Sequence, residues 1–575
     1  MGEMEMKTAI SKPRRFFGVA GLAMLLTASA FAAVPGITGP VFNLTAQDAR
    51  LNQPDGASVY SWGYGCNGSP SGFLPAAILN PTCNSMQVPG PTLIVHEGDL
   101  VVVNLVNNLP SAAGNTSILF PGFQVTPTGG VVGLLTQEAP PTTNATCVPG
   151  STSCVTYTFM ASSPGTRAYY SGTQGDLQVE MGLYGAIIVL PANPPTNCSS
   201  GLRAANRQVE LYWGEADFRL STAAYDHPDT CYDREYLFQW AEMDSRIHRQ
   251  AEAQVLATLG CTAGNAGCSL NVQTEPYHPA YYLINGRSMP DLMDPNYAAE
   301  YPHQPYNGNP HMHPGELTLV RTIGQGRWQH PFHEHANHVR ILARDGALIL
   351  SSSTITYPGT TTPAPALAGV LMFNTDTTPG EAFDGIFYFT GRGLNWDPYG
   401  HHPAPDVPGT PLDTSASLPC TSDVNGYNTG FASTDTNFAG TPSTAVLHAI
   451  NYYEWCQDHS KPLQVNPFGD VAAGGPATLP DPNIFTNGAW YGGSPYLGPD
   501  ATLRATAAAC DTTRNAGCTN LQPANMQANP ANERGWAFMW HSHNEREITT
   551  NNVFPGGMLM MMLVDSREFV IDESL

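Results

Sequence analysis

Six of the chain's 17 histidines fall in two short segments. His330-Pro331-Phe332-His333-Glu334-His335-Ala336-Asn337-His338 holds four of them, and His541-Ser542-His543 holds two more. Residues i and i+2 of a strand point to the same face, so each His-x-His offers two imidazoles side by side. Two such strands brought together would make a four-nitrogen site from His333, His335, His541 and His543, a donor set that suits Cu(II) or Zn(II). His330 and His338 are the nearby candidates, and Glu545 or Glu547 could add a carboxylate for a second ion. The competing reading is a solvated cluster of loop histidines. Two paired motifs weigh against it in a way that a lone histidine could not. A third pair, His311 and His313, stands just before Pro314-Gly315-Glu316 and reads as surface loop, with auxiliary metal ligands as the alternative.

Strands are what such a site needs, and the sequence supplies them. Pro89-Gly90-Pro91-Thr92 leads into Leu93-Ile94-Val95, then Glu97-Gly98-Asp99 turns the chain into Leu100-Val101-Val102-Val103-Asn104-Leu105. Short apolar runs bounded by Gly, Pro and Asp are the mark of buried sandwich strands. Gly182 to Pro191 closes this unit, so residues 34–200 read as one β-sandwich domain. A second unit, 201–575, starts near Arg207, and strands resume at Tyr281-Tyr282-Leu283-Ile284 and Leu317-Thr318-Leu319-Val320. Between them the spacing of Leu237, Trp240, Ile247, Ala251, Val255 and Leu259 predicts a helix from about Asp233 to Leu259, ended by Gly260. Residues 391–530 are rich in Pro, Gly, Asn and Ser and read as a long loop-rich insertion, with a third domain as the alternative. Strands return from Gly535 to Val564. Trp240-Ala241-Glu242-Met243 to His248 reads as core packing, and so do the methionines of Met558 to Met562.

Composition narrows the function classes. The 56 Gly and 50 Pro favour short strands and punctuated turns. Residues 1–33 read as a secretory signal, with Lys12, Arg14 and Arg15 before the apolar run Phe16 to Leu26 and the small-residue pattern Ala30-Phe31-Ala32. Removing them takes the formal net charge from −23 to −25 and leaves Lys461 as the one lysine. Such a surface repels nucleic acid and anionic lipid, and no later run is long and apolar enough to span a bilayer. The 12 cysteines include local pairs at Cys66/Cys83, Cys147/Cys154, Cys261/Cys268 and Cys510/Cys518, which read as disulfides of an exported protein, periplasmic or extracellular. Asn265-Ala266-Gly267-Cys268 recurs as Asn515-Ala516-Gly517-Cys518, a shared disulfide turn.

The histidine motifs carry a family resemblance. His330 to His335 is similar to the His-Pro-x-His-x-His-Gly motif of the multicopper oxidases, with Ala336 in place of Gly. His541-Ser542-His543 resembles their His-Cys-His, with Ser542 for the Cys, Glu547 where a further His belongs, and Met558 in the axial region after an insertion. Thr116-Ser117-Ile118-Leu119-Phe120-Pro121-Gly122 resembles Thr-Ser-Ile-His-Trp-His-Gly, and Gly165-Thr166-Arg167-Ala168-Tyr169-Tyr170-Ser171-Gly172 resembles Gly-Thr-x-x-Tyr-His-Ser-His. Leu119, Pro121, Tyr170 and Gly172 thus stand where four histidines belong. The scaffold segments Pro89 to Asn104, Gly182 to Val189 and Ile284-Asn285-Gly286-Arg287 share the likeness, which runs over nearly the whole chain after residue 33.

The resemblance implies an all-β fold of tandem cupredoxin-like Greek-key β-sandwich domains, with one helix and the insertion. In the family a Cys thiolate with two histidines binds the blue copper, and eight histidines hold three further coppers that reduce dioxygen to water. Here the thiolate is missing, and His333, His335, His541 and His543 are what remains of the eight. The expectation is an exported protein that binds one copper ion, or two, at this reduced site. Oxidoreductase activity with a redox partner protein or a small reductant is expected, without laccase-type oxygen reduction. The alternative is a non-enzymatic metal-binding or structural protein that keeps the scaffold.

Overall fold

The computed structural model describes residues 33–84, 86–143, 146–199, 217–312, 316–357, 360–389 and 536–564, with the short pieces 431–432, 447–448, 493–494, 571 and 573–574. Strands dominate, as expected. Two five-stranded sheets are built from residues 36–190. One runs in the order Gly165–Tyr170, Tyr184–Leu190, Leu93–His96, Gly36–Thr38, Phe73–Leu74. The other runs Ser58–Cys66, Val41–Asn52, Leu100–Asn107, Cys154–Met160, Thr126–Gly129. In Leu100–Asn107 the residues Val101, Val103 and Leu105 alternate into the core against Trp62, Tyr64 and Phe159. The turn at Glu97-Gly98-Asp99 forms as the sequence indicates: Gly98 takes φ 89°, and the His96 N–H donates to Asp99 Oδ2 at 2.8 Å.

A second pair of sheets holds the histidine segments. The larger contains Tyr281–Ile284, Arg234–Met243, Leu317–Gly324, Ala382–Tyr388, Val339–Arg344 and Ala347–Leu348, with Leu371–Met372 beside Val339–Arg344. The facing sheet runs His311–Met312, Leu559–Val564, Trp536–Ser542, Pro331–Glu334, Asn374–Asp376. Between them Trp240, Phe332, Phe238, Phe387, Trp540, Met558, Met560 and Met562 fill the core. The methionines at the end of the chain are therefore packing, as read.

The expected helix from Asp233 to Leu259 is corrected. Arg234–Met243 is a strand, paired with Leu317–Gly324 and Tyr281–Ile284, and the helix is Ser245–Ala257. All ten residues of that strand are buried. Phe238 and Trp240 face the second core, whereas Leu237 and Met243 face the first sandwich. A strand buried on both faces loses its period-2 signature, and its apolar residues then matched a helical spacing by chance. Asp244 starts the real helix by accepting from the Arg246 N–H at 2.9 Å. Its apolar face, Ile247, Ala251 and Val255, joins the core of the first sandwich rather than the second.

The two sandwiches meet over Ile94, Ala168, Ala186 and Ile188 on one side and Leu237, Ile323 and Ala382 on the other. Within this seam Asp384 accepts from Thr166 Oγ1 and from the Tyr225 hydroxyl, both at 2.6 Å, and Arg321 pairs with Glu235 at 2.9 Å. Four disulfides are present among the described residues: Cys66–Cys83, Cys147–Cys154, Cys198–Cys231 and Cys261–Cys268. The Cys198–Cys231 bond joins partners 33 residues apart, which local spacing did not single out. No helix of the described residues is long and apolar enough to cross a membrane. The expected signal up to residue 32, the insertion at 391–530 apart from 431–432, 447–448 and 493–494, its Cys420, Cys456, Cys510 and Cys518, the second Asn-Ala-Gly-Cys turn and His313 lie outside the described residues.

Candidate metal centre

Backbone register brings the two His-x-His segments together. Pro331–Glu334 pairs antiparallel with Trp536–Ser542, and His333 lies directly opposite His541. The His543 N–H donates to Pro331 O at 2.8 Å and the His335 N–H to Met539 O at 3.3 Å, extending the pairing past both strand ends. Phe332 and Trp540 alternate to the other face, each 0% exposed in the core, so burying them turns the histidines away from it. The Trp540 indole N–H donates to His335 O at 3.1 Å. Just after His335, Ala336 is buried with φ 82°. An alanine there is held in a conformation that glycine would take without strain.

The imidazoles converge. The His333 ring centre is 4.6 Å from that of His335, 5.4 Å from His541 and 4.7 Å from His543. One ligand atom each from His333, His335 and His541 lies within 4.8 Å of the others, and the Nε2 atoms of His335 and His541 are 3.2 Å apart. His541 Nδ1–H donates to Ser542 O at 2.7 Å, which leaves its Nε2 lone pair for the centre. Among the described residues His333 Nδ1 is buried without a hydrogen-bond partner. His333 and His541 are buried, His335 is half-buried, and His543 is exposed at the rim. Burial, reinforced by the neighbouring His335, His541 and His543, pulls His333 down to about 4. Burial lowers His541 as well. At neutral pH these two rings are uncharged, the form that ligates metal. Close nitrogens, a fixed tautomer and an unpaired buried nitrogen fit a Cu(II) or Zn(II) ion.

His330 and His338 lie outside the cluster of converging ligand atoms formed by His333, His335 and His541 among the described residues. His338 is buried with its ring edge-on to Phe373 at 5.0 Å. His330 Nδ1 sits 2.8 Å from Glu547 Oε2, and its Nε2 sits 2.8 Å from Glu242 Oε2. Burial opposes a charge on this ring, but the hydrogen bonds to Glu242 and Glu547 and their negative charges outweigh it and raise His330 to about 9. An ordinary imidazole titrates near about 6.5, so the folded state binds the proton more tightly than the unfolded chain. The stabilisation is full below that value and is lost as pH rises through about 9. We expect it to amount to roughly 3 kcal/mol. In metal-free protein, His330→Gln should flatten the fall in melting temperature between neutral pH and about 9. An unchanged slope in that variant would assign the effect elsewhere.

His311 is buried two strands away, on a strand paired with Leu559–Val564, and its Nε2 is 3.2 Å from Asn309 Oδ1. The surface-loop expectation is therefore corrected for His311: the chain enters the sheet there instead of looping out. In the first sandwich, Leu119 and Tyr170 exchange backbone hydrogen bonds, and Leu119 packs so closely on Gly172 that an added Cβ would meet its Cγ at 2.8 Å. An apolar contact fills the place where the resemblance puts imidazoles. Sequence reasoning missed Glu242 as a partner of His330. The available signal was one carboxylate inside a run of buried apolar residues.

Residues 81–194 match the family described as multicopper oxidase. The multicopper oxidase MCE of Talaromyces pinophilus is 37% identical over 133 residues, which is 22% of this chain and 20% of that protein. The chain thus spans about a fifth of the length of the curated relative it matches. Among solved structures, the blue copper oxidase of Nitrosomonas europaea aligns over 91% of this chain and 85% of its own, at 15% identity and a TM-score of 0.37. The copper nitrite reductase of Nitrosomonas europaea aligns over 61% of this chain and 85% of its own, at 16% identity and a TM-score of 0.34.

Proposed function

We propose that this chain, whose residues 81–194 belong to the multicopper oxidase family, is an exported copper protein with oxidoreductase chemistry at a reduced histidine centre. The carrying observation is the convergence of ligand atoms from His333, His335 and His541 within 4.8 Å, with His543 at the rim. Copper, when bound there, supplies one-electron redox chemistry. The chain's own groups do the rest. Ser542 O holds the tautomer of His541, and Phe332 and Trp540 keep water from the inner face. His543 is exposed at the rim, the side from which, among the described residues, a small reductant or a redox partner protein would approach.

The centre takes one copper ion per chain, or two. Laccase-type oxygen reduction is not part of the reading, because Leu119, Pro121, Tyr170 and Gly172 supply no imidazole and Ser542 supplies no thiolate. Residues 1–33 serve as the export signal. Residues 34–200 and 201–575 form two cupredoxin-like units, the second carrying 391–530 as an insertion. The disulfides support an oxidising compartment, periplasmic or extracellular.

Elemental analysis and EPR of purified protein test this. We expect about one Cu(II) per chain with nitrogen coupling. Protein that takes up no transition metal would leave the non-enzymatic scaffold as the better reading. Copper-loaded protein is also expected to lack the intense visible absorption of a copper–thiolate bond. A strong blue colour would mean that a cysteine outside the described residues reaches the centre.

A further inference from the structure

His330 stands three residues before His333 but is built into something else. Its ring is 0% exposed, and each nitrogen faces a carboxylate oxygen at 2.8 Å. Carboxylates at these positions accept, so the ring donates from both nitrogens and keeps no lone pair for an ion. The carboxylates are themselves held. Glu547 Oε2 accepts from Ser542 Oγ at 2.5 Å, and Glu547 Oε1 accepts from Asn544 Nδ2 at 2.9 Å. Glu242 Oε1 accepts the backbone N–H groups of Arg327 and Trp328 at 2.7 and 2.9 Å, and the Tyr277 hydroxyl at 3.1 Å.

Position gives the arrangement its meaning. Glu242 belongs to the strand Arg234–Met243 of the opposite sheet. His330 leads into the first His-x-His, and Ser542 lies between the two histidines of the second. The chain Glu242–His330–Glu547–Ser542 therefore ties both histidine segments to each other and to the sheet beneath. Strand pairing fixes the backbone register. Ring approach also depends on where the segments enter and leave their strands, and those are the points this chain holds.

We propose that Glu242, His330 and Glu547 form a metal-free charge bridge that sets the separation of the two His-x-His segments, with His330 and Glu547 as positioning residues and not ligands. This rests on the metal centre proposed above for the site that is positioned. Losing a partner bonded directly to a ligating ring weakens metal binding by roughly 10–100-fold, and a bridge that holds the backbone of both ligand segments is expected to act within that range without removing a ligand.

Copper titration of the full chain compares wild type with His330→Gln, Glu547→Gln and His330→Ala. The two glutamine variants are expected to bind roughly 10–100-fold more weakly, yet to reach the same number of ions at saturation. Added imidazole should restore affinity in His330→Ala by refilling the hole between the carboxylates. An ion missing at saturation in His330→Gln would make His330 a ligand and overturn the proposal, and so would an unchanged affinity. Wild-type protein that takes up no copper would instead fell the metal-centre reading. The bridge is then read in metal-free protein, where His330→Gln and Glu547→Gln are expected to be non-additive in melting temperature. Additive shifts would overturn it.

Discussion

Replacing His333 and His543 together by alanine is expected to abolish copper uptake. His333 is the hub of the group, with its ring centre 4.6–5.4 Å from those of His335, His541 and His543. Its buried Nδ1 has no hydrogen-bond partner among the described residues. Removing both leaves His335 and His541, a pair whose Nε2 atoms are 3.2 Å apart, too few imidazoles to hold Cu(II) against water and buffer. His311→Ala is the control: it removes a buried ring two strands away and should leave stoichiometry intact even where it costs stability. Copper analysis after gel filtration reads both variants. Unaltered copper in the double variant would move the site away from these strands.

Trp540→Ala is expected to give the largest loss of stability. The side chain is 0% exposed and touches Phe238, Phe332 and Phe387, with ring centres 4.9–6.1 Å away. Truncating so large a buried group leaves a cavity and costs about 3–5 kcal/mol. It also removes the indole N–H that holds His335 O, so copper affinity should fall with stability. Trp540→Phe keeps most of the volume, leaves a much smaller cavity and loses the hydrogen bond to His335 O. Its effect on affinity should then exceed its effect on melting temperature, as differential scanning calorimetry beside copper titration would show. An alanine variant as stable as wild type would mean that this core is not continuous beneath the site.

Much of this protein is legible in the chain. Strands at Leu93–His96 and Leu100–Asn107 announce themselves because the Gly98 turn needs a positive φ and its flanks alternate into one core. The pairing of His-x-His segments was readable for a similar reason. Period 2 puts His333 with His335, and His541 with His543, on common faces wherever the chain is extended, and backbone pairing past both strand ends keeps it so here. Leu119 and Gly172 likewise declare by their side chains alone that no imidazole stands there.

Other features needed the third dimension. Leu237 and Trp240 fall three apart, which suits a helix face. Only the presence of a core on each side of Arg234–Met243 makes them opposite faces of a strand. The helix Ser245–Ala257 has a readable apolar stripe, but the stripe does not say which sandwich it closes. His330 is the sharpest case. By sequence it is one more histidine of the motif, three residues from His333. What it does depends on Glu242, 88 residues before it, and Glu547, 217 residues after it. A side chain's type fixes which bonds it can make, and local spacing fixes which face it takes. Which distant charge stands opposite is decided by sheet packing, and here that makes His330 a buried cation between carboxylates while His333 stays a neutral ring among imidazoles.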